Sequence, residues 1–109
     1  MPYKYVVAVV RPDVVASLQI KLSQIGVGGI TLSRVQGFGE SKTSLSGDRL
    51  ADHTRLEVFV EKSEVAALLA ALRETALAGV PGAGIAAVMS VDTFEHLRAS
   101  DDAAPGVSP

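Results

Sequence analysis

The chain contains no cysteine. That removes disulfide staples, thiolate zinc sites, iron–sulfur clusters and a cysteine nucleophile together, and leaves redox chemistry silent about the compartment. Tryptophan is absent too, and only two histidines occur, His53 and His96, far apart in the chain. Without a cluster of His, Asp and Glu at ligand spacing, a metal site of three or four ligands has little to draw on. Positive charge is not in excess either: 10 Lys and Arg stand against 12 Asp and Glu, a formal net charge of −2. Such a balance suits a phosphate backbone poorly, and no nucleic acid is expected as a partner. Apolar runs are short, so no membrane insertion is expected. Met1-Pro2-Tyr3-Lys4-Tyr5 lacks the charged start, apolar stretch and small-residue cleavage site of a secretory signal, and the expected location is cytoplasmic.

What is present is ordinary material for one folded domain. The 109 residues are 48% hydrophobic and 20% charged, enough for a single modest core. Tyr3 to Val10 is a β-branched, aromatic run that reads as a buried central strand, stopped by Arg11-Pro12. Asp13 is a candidate N-cap for a helix whose apolar stripe is Val14, Val15, Leu18, Leu22 and Ile25, ended by Gly26. Ile30 to Gln36 alternates as a second strand. Gly37 to Thr54 has no usable period, and a loop that long inside a small domain tends to be functional or disordered.

Strict alternation resumes from Arg55 to Val60, with Leu56, Val58 and Val60 on one face and Arg55, Glu57 and Phe59 on the other. Ser63 can cap a second helix with the stripe Val65, Leu68, Leu69, Leu72 and Ala76, closed by Gly79. Ile85 to Val91 is a fourth strand, and Thr93 to Arg98 can form a short extra one with Phe94, His96 and Arg98 on one face. Ala99 to Pro109 reads as a disordered tail. The domain therefore covers residues 1–98. The fold class is α+β: a ferredoxin-like βαββαβ sandwich, an antiparallel sheet with two helices on one face and an extra C-terminal strand. The other sheet face would be bare, and its β-branched residues would need a cover, which favours self-association.

Candidate chemistry lies in the glycine-rich segments. Gly37-Phe38-Gly39-Glu40-Ser41-Lys42-Thr43 is neither a phosphate loop, since Ser41 stands where glycine must precede the lysine, nor a dinucleotide fingerprint, since Lys42 stands where glycine is required. It remains either plain turn chemistry or a loop whose amides approach a ligand. Gly82-Ala83-Gly84 carries the same two readings. His53, His96 and Arg98 can place donors near an anion. Glu57 on a covered strand face must find a partner, which Arg55 or a neighbouring subunit can supply. Phe59 is ordinary packing unless a ligand stacks on it. Nothing resembles a nucleophile elbow, and no general base is evident beyond Glu40, Asp48 and Asp52, so the protein is not expected to be an enzyme.

The run Gly26-Val27-Gly28-Gly29-Ile30-Thr31-Leu32-Ser33-Arg34-Val35-Gln36-Gly37-Phe38-Gly39 resembles that of the PII signal-transduction superfamily, which carries a Gly-Phe-Gly before its long T-loop. Arg11-Pro12, Leu56-Glu57-Val58 and Gly82-Ala83-Gly84 match further PII positions in order, and the resemblance covers roughly residues 3 to 98. It implies a homotrimer binding adenine nucleotides between subunits, with a T-loop at about 40–53 and a B-loop at about 79–85. By position, Gly37, Phe38, Gly39, Glu40 and Ser41 would line the nucleotide, with Phe59 at the adenine and Gly82, Ala83 and Gly84 on the B-loop. His53 matches a phosphate-assisting lysine, while Thr31, His96 and Arg98 would reach in from the adjoining subunit. The T-loop is shorter than in nitrogen-sensing members and has no tyrosine, Ser41 replaces a magnesium-coordinating glutamine, and Ala83 and Ile85 replace an acidic residue and a lysine. These departures imply a PII-like, non-nitrogen-sensing member that favours ADP or AMP over MgATP. They suit the carbon branch that attends bicarbonate transport or carboxysomes, with bicarbonate as a second effector and a membrane transporter or metabolic protein as the T-loop's partner. The alternative is a metal- or small-anion-responsive ferredoxin-like trimer with no nucleotide role.

Overall fold

Two strands of strict alternation build the centre of the molecule. In β1 (Tyr3–Val10), Val6, Ala8 and Val10 are buried and their neighbours are half-buried. In β3 (Ala51–Glu61), Thr54, Leu56, Val58 and Val60 point the same way. They pair antiparallel with Val6 opposite Val58 and Ala8 opposite Leu56, so two apolar rows become one surface. The computed structural model describes residues 2–27, 29–37, 50–76 and 83–97. Within them, β2 (Thr31–Gly37) flanks β3, and β4 (Gly84–Ser90) flanks β1, giving the antiparallel order β2-β3-β1-β4.

Helices α1 (Val15–Gln24) and α2 (Val65–Thr75) cover the apolar surface. Leu18, Leu22, Leu68, Ala71 and Leu72 meet Val6, Val10, Leu56 and Val58 in one core, with Val15, Ile25, Val65 and Leu69 packed at its margin. This is a ferredoxin-like βαββαβ fold with both helices on one face of the sheet. None of the described helices is long and apolar enough to cross a membrane.

The two halves enter their helices alike. Each central strand runs into a single 3₁₀ turn, Pro12–Val14 after β1 and Lys62–Glu64 after β3, before the α-helix begins. Neither expected N-cap serves. Asp13 lies inside the first 3₁₀ turn, whose cap is Arg11, and its carboxylate instead meets Arg11 Nε at 3.3 Å. Ser63 gives way to Glu61, which forms a reciprocal capping box with Glu64: the Glu61 amide donates to Glu64 Oε1 at 2.9 Å. The extra turn moves each cap upstream of the residue that composition alone selects.

Further boundaries differ from the sequence reading. β3 begins at Ala51, so residues 51–54 belong to the strand and not to the long loop. Their pairing with Arg34, Val35, Gln36 and Gly37 is a backbone ladder that needs no apolar alternation, helped by Gln36 Nε2 donating to Asp52 Oδ1 at 3.0 Å. Helix α2 ends at Thr75 with Ala76 as its cap; Gly79, expected to close it, lies outside the described residues. No extra strand forms over residues 93–97. That segment is held by a side chain instead: the Phe94 ring stacks on Tyr3 at 4.1 Å. The expected disordered tail, 99–109, lies outside the described residues.

The face away from the helices carries a polar network. The Tyr5 hydroxyl donates to Glu57 Oε2, and Arg55 Nε lies 3.4 Å from Glu57 Oε1. The hydrogen bond to Glu57, with desolvation and the negative charge behind it, pushes the Tyr5 hydroxyl above the ordinary tyrosine range. The bond therefore stabilises the fold below that range and fades as pH rises through the raised value.

Three outcomes follow from this architecture. Leu56→Ala, at a side chain 0% exposed, lowers unfolding free energy in urea by about 2–5 kcal/mol. Gly84→Ala costs about 1–3 kcal/mol, because Gly84 has φ +139° and a Cβ there would lie 2.6 Å from the Val9 carbonyl oxygen. In a Tyr3→Phe background, ultraviolet titration finds Tyr5 ionising at a lower pH in Glu57→Gln than with Glu57 intact. Unchanged titration would contradict the network.

Candidate functional site

The open face of the sheet gathers side chains that alternation sends away from the core. Cross-strand rows follow from the register: Thr31 beside Glu57 and Val7, Ser33 beside Arg55 and Val9, and Phe59 beside Tyr5 and Met89. Large apolar groups remain open to solvent here, among them Phe59 at 45%, Met89 at 43% and Ile85 at 70% exposure.

One end of this face is aromatic. Phe59 lies 5.0 Å from Tyr5 and 5.4 Å from Phe94, both rings tilted. Phe94 stacks on Tyr3 with an interplanar angle of 14° and meets His96 at 5.1 Å, nearly perpendicular. The chain thus brings Phe59 and His96 against a common ring. Glu57, half-buried one row in from Phe59, holds its carboxylate between Tyr5 and Arg55. The arrangement offers a flat aromatic group for stacking and a fixed acceptor beside it.

The other end carries the connections. Gly37 closes β2 opposite Ala51, and Gly84 opens β4 opposite Val10. His53 lies two residues into the strand from Ala51, and its Nδ1–H donates to the Ala51 carbonyl at 3.0 Å. Ala83 is buried before Gly84. A Cβ added to Gly37 would meet nothing within 4 Å, so the described residues leave open space beside this glycine.

The expected site residues therefore fall into two groups within one chain. Thr31, Phe59 and His96 lie toward the aromatic end; Gly37, His53, Ala83 and Gly84 lie toward the loop end. Gly37 and Gly84 occupy outer strands with two strands between them, roughly 14 Å of sheet width. Phe38, Gly39, Glu40, Ser41, Gly82 and Arg98 lie outside the described residues. Sequence reasoning overlooked Tyr3 and Tyr5. Their spacing of two on β1 was the available signal, since it puts both rings on the face that carries Phe59.

Comparison with known proteins gives this geometry a lineage. Residues 3–101 match the family described as nitrogen regulatory protein P-II. The nitrogen regulatory protein P-II of Synechocystis sp. is 28% identical over 105 residues, covering 90% of this chain and 94% of that protein. The Arabidopsis thaliana homolog is 29% identical over 102 residues, 86% of this chain and 52% of that longer protein. Among solved structures, Arabidopsis thaliana PII bound to citrate is 31% identical with a TM-score of 0.70, over 83% of this chain and 78% of that one. The B. subtilis GlnK–ATP complex is 27% identical with a TM-score of 0.70, over 83% and 82%. With nearly the whole described chain inside the match and the same fold in both structures, this protein belongs to the P-II nitrogen regulatory protein family.

Proposed function

We propose that this protein is a homotrimeric regulator that binds adenine nucleotides, ADP or AMP ahead of MgATP, in clefts between its subunits. Occupancy is passed through the T-loop, the connection between β2 and β3, to a partner protein. The observation that carries this reading is the uncovered sheet face, which sets the half-exposed Phe59 ring beside the held Glu57 carboxylate. An apolar face of this kind calls for a cover, and further copies of the chain supply one. A cleft completed by a neighbouring subunit is in keeping with that cover. In that cleft Gly37, Phe38, Gly39, Glu40, Ser41, His53, Phe59, Gly82, Ala83 and Gly84 come from one chain, and Thr31, His96 and Arg98 from the next. An adenine ligand is in keeping with the ATP complex of the B. subtilis relative.

Charge at the loop end supports the preference for fewer phosphates. Arg11 is engaged by Asp13 at 3.3 Å, and His53 is turned to the Ala51 carbonyl. Ala83 contributes no charge, and Ile85 follows Gly84 where a lysine would serve a polyphosphate. A phosphate taken from water without matching cations is costly. The short T-loop without tyrosine, and Ser41 at its start, support a PII-like role outside nitrogen sensing. That role lies in inorganic-carbon metabolism, with a membrane transporter or metabolic protein as partner and bicarbonate as second effector.

Calorimetry with AMP, ADP, MgATP and cyclic AMP, on protein whose mass is measured by sedimentation, tests the reading. Three-chain particles that bind AMP and ADP more tightly than MgATP are expected. A monomer, no binding at millimolar nucleotide, or tightest binding of MgATP would overturn it. Arg98→Ala weakens AMP roughly tenfold, the scale of a charge-assisted hydrogen bond, and leaves adenosine unchanged. Equal losses would remove Arg98 from the phosphate.

A further inference from the structure

Residues 91–97 follow β4 without joining the sheet. A segment with no ladder hydrogen bonds should be loosely placed unless side chains hold it. One does. Phe94 lies flat on Tyr3, with centroids 4.1 Å apart, and tilts against Phe59 at 5.4 Å. Tyr3 and Phe59 belong to the two central strands, which are paired along their length. Phe94 is therefore seated on the two central strands of the sheet. Its other contact is His96, two residues on, whose ring stands nearly perpendicular to it at 5.1 Å. Leu97, next in the chain, is 95% exposed, so apolar burial beyond Phe94 does not hold the segment down.

We infer that Phe94 is a positioning residue: seated on Tyr3 and Phe59, it fixes the imidazole of His96 for the nucleotide phosphate. This rests on the nucleotide reading above. The physical reason is entropic. A histidine on an unpaired segment must be immobilised when it meets a ligand, and that cost is subtracted from affinity. A histidine already held edge-to-face by a stacked ring has met it beforehand. Because Phe94 touches Phe59 as well, the ring that holds this chain's His96 toward one cleft also bears on the Phe59 that serves the adjoining cleft.

Two measurements test the inference on the full-length protein. The first needs no nucleotide. The chain has only two histidines, so NMR resolves their ring protons, and His53→Ala assigns them. The His96 ring signals should be displaced by the current of Phe94. Phe94→Leu should move them to ordinary positions, Phe94→Tyr should keep them, and those of His53 should not move. Undisplaced His96 signals in the wild type would overturn the clasp.

The second is AMP calorimetry. Phe94→Leu should weaken AMP about fivefold, the scale of ordering one side chain, and Phe94→Tyr should restore it. In a His96→Ala background, Phe94→Leu should cause no further loss, because its effect passes through the imidazole. Additive losses, or wild-type affinity in Phe94→Leu, would overturn the positioning role. If the wild type shows displaced His96 signals but binds no AMP, the nucleotide reading fails and the delivery role with it, while the clasp stands.

Discussion

The register of β1 against β3 sets the placement of everything else in this molecule. Val6 opposite Val58 and Ala8 opposite Leu56 put two apolar rows under the same pair of helices. A slip of β3 by one residue would turn its apolar row to solvent and send Glu57 and Phe59 into the core. Burial of the apolar rows is favourable, and burial of Glu57 among leucines would be heavily opposed. The two terms select the same register, so the open face is specified as firmly as the core.

That specification gives the open face its character. Its aromatic groups come from β1, β3 and the segment after β4, which meet only because the sheet order brings β4 beside β1. Its charged groups answer one another: Glu57 is shared by a tyrosine of β1 and an arginine of its own strand. A carboxylate so held keeps its orientation beside the aromatic rings. Edge strand β4 is exposed along its whole length in the single chain, an arrangement that leaves backbone and side chains available to a neighbour.

Membership of the P-II family and the geometry of this face bear on different parts of the functional reading. The family supplies the class, a regulatory protein. The residues themselves supply the distinctions: imidazoles at positions 53 and 96, uncharged apolar side chains at 83 and 85, and an aromatic ring at 59. Each of these lowers charge or adds flat surface.

The element types and order were legible in the chain, because period-two and helical spacing report which groups water must be kept from. The stripes Val14, Leu18, Leu22 and Leu68, Leu72, Ala76 are buried where spacing put them, and Phe59 lies opposite Leu56 and Val58 as alternation required. What escaped that reading rests on contacts without a period. The start of β3 at Ala51 comes from ladder bonds to β2, the caps at Arg11 and Glu61 from added 3₁₀ turns, and the missing fifth strand from a ring stacked across the sheet. The amino-acid sequence by itself determined which side chains face the helices and which do not. Only the tertiary structure decided that Tyr3, Phe59, Phe94 and His96 share one end of the open face. Their proximity depends on strand order and on the path of a segment that carries no hydrogen-bond pattern of its own.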